Sequence, residues 1–400
     1  MVKRAVRSER CKNCNFCISS VCPSPEECIG CNACYIACPN EAVELIDIEI
    51  NDYITIYVNG EKFQVPNKIT VKKALEMLGY KFTKFPEKNK IFAPCEVGGC
   101  WSCALEIDGE LKPTCVTPVR SGMRIETEIK QTPKRLVHGF SGHTVGGVGT
   151  PWWLKGFIYI EAACFACGCN FRCPQCQNWT TTYCGKDIPL TPLKAAEIMT
   201  KLRKSIGVDR MAISGGECTL NREWLVEYIS ELKRRNPDKE ARFHVDTNAS
   251  ILTKDYIDEL VRVGMTDIGI DVKGIELETF KIITGLDDDD IAELHLKAEW
   301  NALEYVVNNY SDVFVGVGIP YNKEFMSLNE IRKIGEKICG INDEIQVCVL
   351  DYRGEFRSRI ERPSYDEMFK VWKVLKEVGL KTVICQTRYG YISPSGKFNF

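Results

Sequence analysis

Cys169, Cys173 and Cys176, in the run Cys169-Asn170-Phe171-Arg172-Cys173-Pro174-Gln175-Cys176, stand at C-x3-C-x2-C spacing just after an apolar stretch. Three thiolates hold three irons of a [4Fe–4S] cube and leave the fourth iron open. An open iron chelates a small molecule and passes it an electron, whereas a fully ligated cube only relays electrons. The three cysteines are therefore candidate catalytic residues as well as metal ligands.

Two more cysteine blocks precede them. Cys11, Cys14, Cys17 and Cys22 are followed by Cys28, Cys31, Cys34 and Cys38, with Pro23 and Pro39 after the fourth member of each set. The second set is a C-x2-C-x2-C-x3-C-P run, as in bacterial two-cluster ferredoxins, where the fourth cysteine ligates the other set's cube. That rule pairs Cys11, Cys14 and Cys17 with Cys38, and Cys28, Cys31 and Cys34 with Cys22. The first set has one extra residue before Cys22, which lengthens a loop without removing a ligand. Cys95, Cys100, Cys103 and Cys115 form the other block, with spacing that suits a [2Fe–2S] centre but also admits a cubane or zinc.

The chain holds 22 cysteines in 400 residues. Disulfide scaffolds are small and secreted, whereas most of these cysteines sit in tight C-x2-C clusters, so metal binding is the expectation. No apolar run reaches 18 residues, and basic residues 1–10 lead into no hydrophobic segment, so neither a transmembrane helix nor a signal peptide is expected. A reducing cytoplasm, that of an anaerobe, is the expected compartment. The formal net charge of −2 argues against an electrostatic grip on nucleic acid or an anionic membrane.

The elements that must position this chemistry alternate. Candidate strands at 157–161, 211–214, 242–246, 267–271, 313–319, 345–350 and 381–384 are separated by amphipathic helices. Thr191 before Pro192, Ser327 with Glu330 and Ser364 with Glu367 mark helix starts, and Gly207, Gly264 and Gly379 mark helix stops. Seven such strands imply a parallel α/β sheet, open or curled into a full or partial barrel, with function at the carboxyl ends of its strands. Residues 131–155, rich in Gly, Thr and Pro, read as a linker or loop.

Residues 157–400 resemble the radical S-adenosylmethionine (SAM) superfamily, in the branch of pyruvate formate-lyase activating enzyme and the AmmeMemoRadiSam-system proteins. The likeness lies in Gly168 through Pro174 and in Cys176-Gln177-Asn178-Trp179. Gln175 stands where the branch usually has an aromatic residue, and Cys218 where it usually has proline. The resemblance implies a partial (β/α) TIM-type barrel with SAM on the open iron. It further implies that Gly215, Gly216 and Glu217, in Ser214-Gly215-Gly216-Glu217, meet the SAM amino group. Asn248, Asp271 and Lys273 would hold its ribose and carboxylate, and Val317-Gly318-Ile319-Pro320 would flank adenine. Ile283-Thr284-Gly285 adds to the match.

Residues 52–130 resemble the β-grasp [2Fe–2S] domain of the large iron–sulfur subunit of respiratory complex I and of iron-only hydrogenases. The likeness rests on the hairpin signal Tyr57-Val58-Asn59-Gly60, the helix-like stretch 70–79 and the run from Cys115 to Val119. The short first cysteine gap is nearer to succinate dehydrogenase.

The expected domains are a ferredoxin-like α+β unit (1–50), a β-grasp unit (51–130), the linker (131–155) and the radical SAM core (156–400). Together they describe an oxidoreductase that cleaves SAM reductively to a 5′-deoxyadenosyl radical and takes hydrogen from a substrate. Its own clusters would supply the electron, fed by a low-potential donor. By the resemblance the substrate is a glycine in a partner protein, with a small molecule or modified protein close behind. The rival is an electron-transfer subunit with a non-catalytic barrel. Cys164, Cys167 and Cys184 read as buried structural thiols ahead of an extra metal site, and Cys339, Cys348 and Cys385 as core residues. Asp287–Asp290 reads as a solvated loop, His138 and His143 as linker residues, and Trp152-Trp153 as a docking point. Loops at 351–353 and 388–400 are expected to build the substrate face.

Overall fold

The computed structural model describes residues 2–156 and 158–399. Its largest sheet has ten strands in sequential order. Seven of them run parallel: Glu161–Ala166, Arg210–Gly215, Arg242–Thr247, Asp267–Asp271, Phe314–Tyr321, Gln346–Asp351 and Thr382–Thr387. Antiparallel strands flank them, Val137–His143 on one edge and Gly390–Ile392 with Phe398–Asn399 on the other. Helices connect successive parallel strands, so the apolar stripe of each packs on one face of the sheet. On Arg222–Arg235, Leu225 and Ile229 are fully buried, each stabilising the fold by roughly 1.5–3 kcal/mol.

The other face curls around a loop. Arg210 donates to the Gly149 carbonyl at 3.1 Å, and Gln346 to the Val148 and Thr150 carbonyls at 3.3 and 2.9 Å. A Cβ at Gly149 would lie 2.5 Å from the Gly269 nitrogen, so only glycine lets this loop come so close to the strands. His244 lies beneath it, 2.9 Å from Asp246 and 3.3 Å from Glu161. Burial alone would lower the His244 pKa, but the two carboxylates hold it up to about 10.

Residues 53–126 form a five-stranded mixed sheet with the helix Val71–Met77, capped by the Thr70 side chain. Asn59 and Gly60 turn its first hairpin with φ of 50° and 84°. At the amino end, Val2–Arg7 pairs antiparallel with Val43–Ile48 around two short helical turns. These units share one core: Val21, Ala33, Val97, Tyr183, Ile251 and Phe356, from all three parts of the chain, bury together.

Several expectations need correction. The first parallel strand is Glu161–Ala166, not 157–161, and residue 157 lies outside the described residues. Its Ala- and Cys-rich sequence has little intrinsic strand preference, and pairing with Arg210–Gly215 decides its place. The supposed linker supplies an edge strand and the loop inside the sheet's curl, and Trp152 and Trp153 dock on Gln346 and Phe314. Ser364 and Glu367 form a full capping box. At Ser327 only half forms, because the Glu330 carboxylate accepts from Ile275, Glu276 and Thr279 instead. Within the acidic run, Asp288 caps the helix Asp289–Asn309.

Candidate functional site

The three-cysteine loop leaves the first parallel strand through Cys167 and Gly168. Gly168, at φ +83°, hydrogen-bonds the Thr182 carbonyl at 3.0 Å. The Arg172 amide is held by the Thr284 carbonyl at 2.7 Å, so the Ile283-Thr284-Gly285 segment supports the loop from below. Cys169, Cys173 and Cys176 are half-buried. Burial pushes the Cys173 thiol up to about 12 and raises Cys169 and Cys176 as well, with Lys273 opposing the rise at Cys173 and Cys176. Three thiols that resist ionising alone suit a centre whose iron charge holds them as thiolates. Gln175, at the position where the branch usually has an aromatic residue, spends its amide on the Ile283 carbonyl at 2.9 Å.

Gly216 and Glu217 run along the back of this loop, their amides 2.8 Å from the Ala166 and Gly168 carbonyls. Glu217 is buried, and its carboxylate accepts from the Thr219 amide and hydroxyl at 2.9 and 2.6 Å, Thr247 at 2.6 Å and the Asn248 amide at 2.7 Å. Three of these bonds fall on Oε1 and one on Oε2, so the carboxylate clasps two strand ends and keeps acceptor capacity on Oε2 alone. Asn248 reaches Asn170 at 3.2 Å beside the cluster loop. Cys218, at the usual proline position, donates to the Asp246 carbonyl at 3.1 Å.

Lys273 Nζ lies 2.9 Å from Asp271 Oδ2, so the two satisfy each other. Burial would lower the Lys273 pKa, but Asp271 holds it well above the ordinary range. The Lys273 amide donates at 3.0 Å to Glu299, whose carboxyl burial pushes well up and whose Oε2 has no partner. Val272 bonds the Gly318 carbonyl at 2.8 Å, which brings the fifth strand's Val317–Pro320 stretch against this turn. In the loops expected to face substrate, Asp351 pairs with Arg362 at 2.5 Å and burial raises the Tyr352 pKa, with Lys273 opposing. Residue 400 lies outside the described residues.

The other two cysteine blocks converge on this loop. Cys95, Cys100, Cys103 and Cys115 are all buried, with Cys95 and Cys100 sulfurs 3.1 Å apart, a four-thiol donor set suited to a small iron–sulfur centre. A Cβ at Gly168 would lie 2.7 Å from the Cys100 nitrogen, so the two cluster loops are in backbone contact. Arg172 joins them, donating to the Cys169 carbonyl at 2.8 Å and the Cys95 carbonyl at 2.9 Å. In the amino-terminal block, Cys17 feels the charges of Cys14 and Cys38, while Cys31 and Cys34 feel Cys22 and Cys28. Cys11, Cys14, Cys17 and Cys38 line one pocket, and Cys34 also feels the Cys17 charge from the other set. Arg357 ties this block to the core, donating to the Cys38 carbonyl at 2.9 Å while its amide meets the Pro174 carbonyl at 2.9 Å. Phe356 beside it stacks on Trp179 and Tyr183, with centroids 5.5 and 4.9 Å away.

Sequence reasoning missed Arg135, Arg357, Glu299 and the bridging role of Arg172. Arg135 is fully buried and donates to the carbonyls of Cys167, Cys218 and Glu217. Lone arginines that serve backbone carbonyls carry no motif. Arg172 lies inside the cysteine motif, and only that placement marked it.

Residues 164–323 match the model of the Radical SAM superfamily, and residues 51–130 that of the 2Fe-2S iron-sulfur cluster binding domain. The chain carries a radical SAM domain and a [2Fe–2S] domain. The "Probable GTP 3′,8-cyclase" of Saccharolobus islandicus (strain M.14.25 / Kamchatka #1) is 25% identical over 240 residues, 57% of this chain and 68% of that protein. An uncharacterized iron-sulfur protein of Methanocaldococcus jannaschii is 43% identical over 74 residues, 17% of this chain and 14% of its own length. Among solved structures, SuiB of Streptococcus suis bound to S-adenosylmethionine aligns at TM-score 0.38 and 15% identity, and the [FeFe]-hydrogenase maturase HydG at 0.41 and 16%. The alignments cover 55% and 57% of this chain, and 46% and 52% of those two, about half of each. The family match and the cyclase likeness fit the superfamily and not the activating-enzyme branch in particular. Among the described residues, no helix is long and apolar enough to cross a membrane.

Proposed function

We propose that this protein is a radical SAM oxidoreductase that carries its own electron supply, in two amino-terminal [4Fe–4S] centres and one [2Fe–2S] centre. The contact of the two cluster loops, with Arg172 bridging the Cys95 and Cys169 carbonyls, is the observation that carries this reading. When bound, the three-cysteine cluster supplies SAM with one low-potential electron, and cleavage yields a 5′-deoxyadenosyl radical. Cys169, Cys173 and Cys176 would hold that cluster. The Gly215 and Gly216 carbonyls and Glu217 Oε2 would accept from the SAM ammonium, and Asn248 would orient the ribose. Lys273 would exchange Asp271 for the SAM carboxylate, a trade of one anion for another that leaves the buried ammonium paired. Arg135 and Arg172 neutralise loop carbonyls and fix the loops' spacing, so they act as positioning residues. The branch resemblance points to a glycine of a partner protein as hydrogen donor, while likeness to a nucleotide cyclase points to a small molecule. A reducing cytoplasm would keep the free thiols available.

The test separates catalysis from electron supply. Cys31→Ser and Cys100→Ser, each with the three-cysteine cluster intact by EPR, should retain dithionite-driven SAM cleavage and lose turnover with a reduced protein donor. Loss of dithionite-driven cleavage as well in these variants would mean that the amino-terminal centres do more than supply electrons. Absence of any SAM cleavage in the reconstituted wild type would instead favour the electron-transfer subunit with a non-catalytic barrel.

A further inference from the structure

His138, Cys167 and Cys184 belong to none of the cluster sets above. Their ligand atoms all lie within 4.8 Å of one another, the one such group of three among the described residues. The sequence had set Cys164 beside Cys167 and Cys184, but Cys164 turns to the Tyr228 hydroxyl at 3.6 Å and takes no part. His138 comes instead from the edge strand Val137–His143, Cys167 from the exit of the first parallel strand and Cys184 from the turn after the helix Trp179–Thr182.

The geometry points to a mononuclear zinc site built from His138, Cys167 and Cys184. Donors about 2.0–2.3 Å from one ion are at most about 4.6 Å apart, so this spacing suits a single ion and not a cube whose cysteines sit on separate irons. Two thiolates and a neutral imidazole balance a divalent cation, and soft sulfur with imidazole nitrogen selects zinc over magnesium or calcium. Binding releases to solvent whatever protons the two sulfurs and the ring nitrogen carry and changes no oxidation state. His138 Nε2 stands 2.6 Å from Cys167 Sγ, closer than the ~3.5 Å that two donors on a tetrahedral ion keep. His138 is half-buried, so the ring has room to swing outward by about the ångström that seating the ion requires. Its other nitrogen, Nδ1, faces the Asp187 carboxylate at 3.8 Å, the arrangement in which a carboxylate orients a metal-bound histidine. Trp101 and Leu136 close the apolar side.

Zinc here would pin the seam between the cluster loops. Cys167 is two residues from Cys169, and a Cβ at Gly99 of the [2Fe–2S] loop would lie 2.6 Å from the Gly168 nitrogen and 2.8 Å from the Cys184 carbonyl. This inference does not depend on the proposed activity.

The test uses the full chain, reconstituted anaerobically with iron and sulfide, desalted, and then titrated with Co²⁺ as the spectroscopic stand-in for zinc. One equivalent should bind with thiolate-to-cobalt charge transfer and tetrahedral d–d bands, and zinc should displace it stoichiometrically. His138→Ala and Cys184→Ser should each abolish those bands while iron content stays at the wild-type value. His138 is partly exposed, so its variant keeps the test valid should Cys184→Ser not fold. Wild-type protein without cobalt bands, or bands that survive His138→Ala, would overturn the site. Alkylation mapping that finds Cys167 and Cys184 joined as a disulfide in anaerobically purified protein would overturn it as well.

Discussion

The two amino-terminal cysteine blocks differ most in their distance from water. Cys95, Cys100 and Cys103 are each 1% exposed, and Cys95 and Cys100 press on the three-cysteine loop at Gly168. In the first block Cys14 is exposed, and Cys11, Cys17, Cys22, Cys28, Cys31 and Cys34 are half-buried. An external donor would, in the proposed account, reach the outer block, whereas the buried inner one would exchange electrons through protein. In the proposed account, the outer centres receive electrons and the inner one hands them on. Burial thus orders centres that cysteine spacing alone leaves unordered.

Iron removal is the largest expected effect. With the usual nuclearities of the proposed centres the chain would hold about fourteen irons, about eight of them in the outer block. Anaerobic chelation should remove these eight first, in a separate kinetic phase followed by iron release and EPR. Loss of the [2Fe–2S] signal before the outer signals would reverse the order proposed.

Arg172 bears on the seam between the inner block and the catalytic loop. Arg172→Ala removes charged hydrogen bonds to carbonyls of both loops, at a cost of about 1.5–3 kcal/mol. A lower denaturation midpoint with unchanged iron content is expected, and wild-type stability would show that the loops do not lean on this side chain. Lys273→Ala leaves that seam alone and removes the ammonium that pairs with Asp271. It should weaken SAM binding by about 1.5–3 kcal/mol, read from the perturbed cluster EPR signal, with folding and cluster content near wild type. Unchanged affinity would remove Lys273 from the SAM site.

The fourth effect concerns pH and the parallel sheet alone. His244 has a folded pKa of about 10 against an unfolded value of about 6.5, so the protonated form is stabilised by folding. Its contribution is fully present below about pH 6.5 and fades as pH rises through about 10. Thermal midpoints should fall across that window, and more steeply than in His244→Gln.

The cysteine sets, the parallel strands after the first and the hairpin at Asn59-Gly60 were legible because each has a local signal: ligand spacing, β-branched runs, left-handed turn residues. The convergence of three blocks on one loop was not, since it depends on close approach at Gly99 and Gly168 and on carbonyl-seeking arginines far apart in sequence. Glu217 and Lys273 show the limit at finer scale. Their positions at strand ends could be read, but the clasp of Thr219, Thr247 and Asn248 and the pairing with Asp271 arise only when separate strands meet.

The central claim is that the three-cysteine loop performs SAM chemistry. The most direct measurement is 5′-deoxyadenosine formed from SAM by anaerobically reconstituted protein with dithionite, beside Cys173→Ala. The account predicts 5′-deoxyadenosine and methionine from the wild type and none above background from the variant. Equal yields from both proteins, or none from a wild type whose cluster is intact by EPR, would contradict it.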